Sequence, residues 1–326
     1  MTETDIVRFL HSRFGTAAMM TIAIVAVAVS FTGGNVIPIT GCNGLGLPSA
    51  NEWIPHGITS LTVNIVMNIS AALLTVFMNR RFNITRSVSA LFAGMFFILQ
   101  MPFPAFFGQF YGGTLLCVII SMATITLFAS FNRPYPLQPI FFIFFLLAAG
   151  AFTQYAYLFY LPVFLTGCAQ MRILGFRTIL AAGIGMFTPL WLLWGFGIIS
   201  SDGFTLPEFS SILSAIGSIE TLQLSVSVGL TLLLCMIFGT LNIIKIFNYN
   251  AQTRSYNGFI SLLSIATSLF VLLDYPNLAI YIPTLNCCTA FQIGHFFATY
   301  DSRRSYIAII GIIMVYATLY LWTLWI

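Results

Sequence analysis

The chain has 326 residues, 59% of them hydrophobic and only 6% charged, with twelve Lys and Arg against eight Asp and Glu for a net charge of +4. Soluble domains carry about 25% charged residues, so this composition excludes a water-soluble globule and implies a chain whose surface meets lipid. The basic residues stand singly or in pairs, which excludes a nucleic-acid-binding stripe.

A helix needs about 20 apolar residues to cross a hydrocarbon core of roughly 30 Å. Apolar runs fall at about 15–31, 58–78, 87–101, 114–131, 139–152, 155–168, 178–199, 223–243, 257–272, 278–297 and 305–324. They predict an all-α fold, a polytopic transmembrane helix bundle of about eleven membrane segments in a single domain over residues 1–326. The third, fifth and sixth runs are short, because 14 residues cover about 21 Å; these are expected to be shallow, re-entrant or shielded by neighbours.

The first run follows Arg8 and Arg13 and has the look of a signal peptide, but the rest of the chain stays equally apolar, so it is read as a retained first span. An outer loop is predicted over residues 32–57, rich in glycine, with Glu52, Trp53 and His56 near its end. No Lys-Ser/Thr follows those glycines, so they do not form a phosphate loop. Glu52 with His56 has the chemistry of an acid–base pair or a headgroup ligand; the plainer reading is a solvated loop at the interface.

The second run places Ser60, Asn64, Asn68 and Thr75 on one helix face, and the tenth does the same with Thr284, Cys288, Gln292 and His295. Either stripe could line a polar groove for a headgroup. Either could equally be hydrogen-bond glue between helices, worth about 1 kcal/mol per contact. The second run ends in Arg80 and Arg81, which with Arg172 and Arg177 form a candidate phosphate or headgroup contact should their loops converge.

Between the fifth and sixth runs a turn is expected near Thr153 and Gln154. A further outer loop covers residues 200–222; Thr205 and Glu208 have capping-box spacing, and Phe209, Ile212, Leu213, Ile216 and Ile219 follow as the apolar face of a surface helix. The last run carries Tyr316, Tyr320, Trp322 and Trp325, as an interfacial aromatic belt would.

Charge sets the orientation. With the N-terminus inside and the C-terminus outside, all twelve Lys and Arg fall on the cytoplasmic side, while Glu52, Asp202, Glu208, Glu220 and Asp274 fall outside. The six cysteines lie mostly in apolar runs, without the paired loop spacing of a disulfide framework or a zinc site. No metal, nucleotide or nucleophile motif calls for a cofactor.

The stretch 154–190, QYAYLFYLPVFLTGCAQMRILGFRTILAAGIGMFTPL, resembles an uncharacterised family of polytopic inner-membrane proteins of Bacteroidota. There a short hairpin precedes an Arg-containing loop and a helix with a Gly-x(n)-Thr-Pro pattern, matched here by Gly185, Thr188 and Pro189. The turn Met101-Pro-Phe-Pro and the last two spans are also similar, over roughly residues 60–324. The resemblance implies a bacterial inner (cytoplasmic) membrane and carries no activity with it.

Three functions remain open: a cell-envelope assembly component handling a lipid-linked or glycan precursor, a non-catalytic subunit packed against another membrane protein, and a small-solute transporter. The expected partners are the lipid bilayer and then a lipid-linked substrate or another membrane protein; nucleic acid is not among them. For a site, the residues are Glu52, His56, Asn64, Asn68, Gln292 and His295, with no catalytic group singled out.

Overall fold

The computed structural model describes residues 8–34, 36, 44–85, 91–199, 219–246, 249–299 and 305–325, and among these the chain is helical throughout with no strand. The helices are α1 (Arg13–Thr32), α2 (Ile58–Phe82), α3 (Leu91–Gln100), the four-residue α4 (Pro104–Phe107), α5 (Gly112–Ala129), α6 (Leu137–Ala151), α7 (Tyr160–Gln170), α8 (Phe176–Gly195), α9 (Ile219–Ile246), α10 (Ala251–Leu273), α11 (Leu278–Thr299) and α12 (Ser305–Trp325). Seven are long and apolar enough to cross a membrane: α1, α2, α5, α8, α10, α12 and the Leu222–Lys245 part of α9. They suggest a multi-pass membrane protein. The predicted surface helix with Thr205 and Glu208 lies outside the described residues.

Local chemistry sets the helix ends. Ser12 caps α1 by accepting the Gly15 N–H at 3.1 Å, and Asn250 caps α10 by accepting that of Thr253 at 2.9 Å, each satisfying a donor the first turn leaves free. Asn83 ends α2 in the left-handed region at φ 50°, which Asn tolerates better than most residues.

Helix α11 is the axis. It packs against α3, α5, α9 and α10, and most of its side chains are buried. Its Tyr281, Leu285 and Phe291 belong to an apolar core shared with α5, α6, α7 and α10. Ala290, Ile293 and Phe297 belong to a second core, built with α1, α3 and α12. Its Asn, Gln and His side chains are therefore surrounded by protein rather than lipid.

The short elements are of two kinds. All ten residues of α3 are buried; at about 15 Å long it is shielded by its neighbours. Helices α6 and α7 form a hairpin. Thr153 Oγ1 donates to the Gly150 carbonyl at 2.8 Å in its turn, and at the far end the Asn132 N–H donates to Met171 at 3.1 Å. A Cβ on Gly150 would stand 2.6 Å from the Tyr157 ring, so glycine lets the returning chain close against α6.

Successive connections gather at two ends. At one, the Leu47 N–H donates to Phe152 at 3.0 Å, Asn51 reaches Gly112, Gln154 reaches Ser49, and Tyr155 reaches Asp274. At the other, Phe82, Phe128, Phe131 and Tyr256 form an aromatic cluster, and Arg177 stacks over the Tyr135 ring at 4.8 Å.

Candidate functional site

The helical path breaks after α3. Pro102 and Pro104 lack the N–H that would extend it, so the backbone over residues 99–112 needs other partners inside an apolar bundle, where each unmet polar group costs several kcal/mol. Side chains from distant elements supply them. Asn286 Nδ2 of α11 donates to the Leu99 carbonyl at 3.2 Å, and Gln223 Nε2 of α9 donates to that of Pro102 at 3.2 Å. Asn64 Nδ2 of α2 donates to Phe106 at 3.2 Å and Phe107 at 2.6 Å. In the other direction, the Phe110 N–H donates to Ser60 Oγ at 2.8 Å and the Gly112 N–H to Asn51 Oδ1 at 2.9 Å.

This arrangement gives the predicted stripes their place. Ser60, Asn64, Asn68 and Thr75 are all buried along α2. Asn64 is fully engaged, since its Oδ1 also accepts from Thr114 Oγ1 at 2.6 Å. Asn68 makes one bond, to the Asn64 carbonyl at 2.9 Å, and its Oδ1 has no partner. On α11, Gln292 accepts from Asn242 Nδ2 at 2.6 Å through Oε1 and lies within 3.5 Å of Ser261 and Ser264, tying α9 to α10. His295 is buried, its ring edge-on to Tyr249 at 6.0 Å.

Glu52 and His56 stay exposed on the loop before α2, and no ion pair joins them among the described residues. The six predicted site residues thus divide between an exposed loop, the α2 side of the interrupted segment and the α9–α10–α11 contact. The central cavity, about 30 Å³ between α2, α5, α10 and α11, is lined by Thr75, Cys117, Ser121, Thr284, Cys287 and Cys288 among others, and by none of those six. That volume suits one or two waters.

Two sites are not evident in the sequence pattern. Asp274, 1% exposed, sits between α10 and α11 and accepts from Tyr155 at 3.2 Å, Asn277 at 2.8 Å and Tyr281 at 2.8 Å. Asn277 Nδ2 also contacts the Tyr155 hydroxyl. Three neutral donors hold a buried carboxylate and join the α6–α7 turn to the start of α11. The spacing of Asp274, Asn277 and Tyr281, three and four residues apart, is the only trace in the sequence.

The second lies at the arginine-rich end. Arg81 and Arg133, both exposed, line a pocket of about 230 Å³ with Gln252 and the aromatic rings of Phe82, Phe128, Phe131 and Tyr256. Arg172 and Arg177 do not line it. Arg177 is held on Tyr135, and Arg172 turns the chain after α7 at φ 60°.

Among the described residues no group of three or more His, Cys, Asp and Glu is placed to hold a metal ion. Comparison with protein-family models, with curated proteins and with solved structures finds no match for this chain.

Proposed function

We propose that this is a bacterial inner-membrane protein of the cell envelope. It crosses in eleven segments, with its N-terminus in the cytoplasm and its C-terminus outside, and it handles a lipid-linked or glycan precursor. One observation carries the reading: the two ends of the bundle differ in charge. Glu52 and Asp274 belong to the end where the loop before α2 meets the α6–α7 turn, whereas Arg81, Arg133 and Arg177 belong to the other. Cytoplasmic ends gather Lys and Arg, and a phosphate-bearing amphiphile meets such an end favourably, at about 1 kcal/mol per basic residue.

A second reading, a non-catalytic subunit of a membrane complex, is favoured by the engagement of Asn64, Gln223 and Asn286 with the chain's own backbone. Those side chains hold the bundle together and leave a precursor no polar groove among them.

Orientation is tested by labelling intact cells with a membrane-impermeant thiol reagent, in a Cys42→Ser background carrying either His56→Cys or Arg254→Cys. Labelling of the first alone is expected; labelling of both, or of the second alone, overturns it. Depletion of the protein should then raise the level of lipid-linked precursors in the membrane. Unchanged precursor levels, with a membrane partner co-purifying in fixed ratio, decide for the subunit.

A further inference from the structure

The pocket at the basic end has three features that together specify a ligand chemistry. First, its walls carry Arg81 from the last turn of α2 and Arg133 from the turn after α5, and neither guanidinium is paired with a carboxylate among the described residues. Two unpaired guanidinium groups facing one space repel each other and favour a shared anion; their fork geometry matches the oxygens of a phosphate. Second, the pocket's third wall is the first turn of α10, a helix of 23 residues whose cap, Asn250, takes the Thr253 N–H. The N–H groups of Ala251 and Gln252 face the same end with the positive pole of that helix. Third, the floor is aromatic. Phe128 stacks on Tyr256 at 4.5 Å, and Phe82 meets both edge-on.

The interior wall is already satisfied. Gln252 Nε2 donates to the Tyr256 hydroxyl at 2.7 Å, and that hydroxyl donates to the Phe128 carbonyl at 3.2 Å. This fixes the floor, while Gln252, Arg81 and Arg133, which also line the pocket, are exposed. A volume of about 230 Å³ exceeds what a single water or chloride needs and lies just below the usual range for small-molecule sites, about 300–1,000 Å³. The place suits a polar head on an apolar body: cations at the rim, rings below.

We propose that Arg81 and Arg133 bind the phosphate group of a membrane amphiphile, with its first non-polar atoms against Phe82, Phe128 and Phe131. The proposal deepens the reading of the basic end as the side that meets phosphate-bearing lipid, and rests on it for which leaflet supplies the ligand. Binding itself does not depend on that. Arg80, Arg172 and Arg177 take no part.

The test uses the full chain in zwitterionic detergent, followed by thermal unfolding and by ligand titration with three probes: a short-chain phosphatidylglycerol, the matching phosphatidylcholine, and inorganic pyrophosphate. Phosphatidylglycerol should stabilise the wild type. Arg81→Gln and Arg133→Gln should each weaken its binding about five-fold, and the double variant about 25-fold. Arg254→Gln, at the same end outside the pocket, and Arg177→Gln should leave it unchanged. Pyrophosphate acting as well as the lipid, with the same dependence on both arginines, assigns the site to a soluble phosphate compound and overturns the amphiphile. Equal stabilisation by phosphatidylcholine, no binding of either phosphate probe, or a loss that follows Arg177 overturns the site. Arg81→Lys, which keeps the charge and loses the fork, separates misfolding from lost recognition: a folded variant should bind with intermediate affinity. Because the protein is in detergent, an inverted topology would leave these results unaltered while reversing the labelling of His56→Cys and Arg254→Cys.

Discussion

The phenol of Tyr281 donates to a carboxylate oxygen of Asp274 at 2.8 Å, from one turn inside α11 back to the residue that ends α10. The other carboxylate oxygen takes Tyr155 and Asn277, so two separate stretches of chain share a single buried anion. Hydrogen bonds to charged groups contribute about 1.5–3 kcal/mol each.

Tyr281→Phe should therefore lower stability by about 1.5–3 kcal/mol. Asp274→Ala strands three donors and should cost more, about 3 kcal/mol or above; Asp274→Asn, which keeps an acceptor, should fall between wild type and Asp274→Ala. Thermal unfolding of the four proteins in one detergent gives the order. A Tyr281→Phe protein that melts with the wild type would show that the carboxylate does not depend on this phenol.

Asn64 and Asn68 of α2 should respond differently although they lie one turn apart. Asn64 holds two carbonyls and the Thr114 hydroxyl, so Asn64→Ala takes the donor from both carbonyls, leaves Thr114 only its 3.3 Å bond to Tyr111, and should cost about 2 kcal/mol or more. Asn68 makes one bond and buries an unpartnered oxygen. Asn68→Leu, similar in volume, should change stability by less than about 1 kcal/mol and could raise it. Equal losses at both positions would mean that Asn68 serves something beyond its own helix.

Much of this was legible in the sequence, and the limits have physical causes. Helices occupy the predicted apolar runs, since a 3.6-residue repeat and lipid-compatible composition are local properties. The stripe through Ser60, Asn64 and Asn68 was visible at helical spacing, but the partners of Ser60 and Asn64 were not, because they are main-chain groups of residues 106–110, some 40–50 positions away. Met101-Pro-Phe-Pro held the clue: two prolines inside an apolar run leave carbonyls that something must serve. Asp274 ends an apolar run and so reads as a loop charge, whereas folding packs the α6–α7 turn over it. Arg81 and Arg133 are 52 positions apart, and only the meeting of α2, α5 and α10 makes them neighbours.

Two glycines of α8 give a pair of opposite sign. A Cβ on Gly185 would stand 2.6 Å from the Phe141 carbonyl oxygen of α6, a backbone atom that cannot swing aside, whereas a Cβ on Gly183 meets nothing within 4 Å. Gly185→Ala should push α8 off α6 and cost about 1–3 kcal/mol. Gly183→Ala should be neutral or stabilising by up to about 1 kcal/mol through helix propensity. Thermal unfolding of both variants decides, and a neutral Gly185→Ala would mean that the two helices are not in backbone contact.

The last prediction concerns how the loop before α2 is held. Asn51 Oδ1 accepts the Gly112 N–H at 2.9 Å and lies 3.5 Å from Gln154 Nε2, which also reaches Ser49 Oγ at 3.3 Å. All of Ser49, Asn51 and Gln154 are buried, so the loop is pinned by polar bonds at the first turn of α5 and at the α6–α7 turn. A Cβ on Gly112 would fall 1.8 Å from Gln154 Nε2. The amide must then leave, and with it both of its contacts to the loop. Gly112→Ala should therefore loosen residues 48–57, making them the first site of proteolytic cutting while the helices stay intact; the Leu45 and Leu47 N–H bonds to Ala151 and Phe152 keep the start of the loop in place. Gln154→Ala, which removes the amide but keeps the glycine, should free the loop to a similar degree. The double variant should add little, since both changes break the same bonds. Limited proteolysis followed by mass mapping reads this directly. Cutting in Gly112→Ala that starts elsewhere, or losses from the two changes that simply add, would show that the loop is held by other contacts.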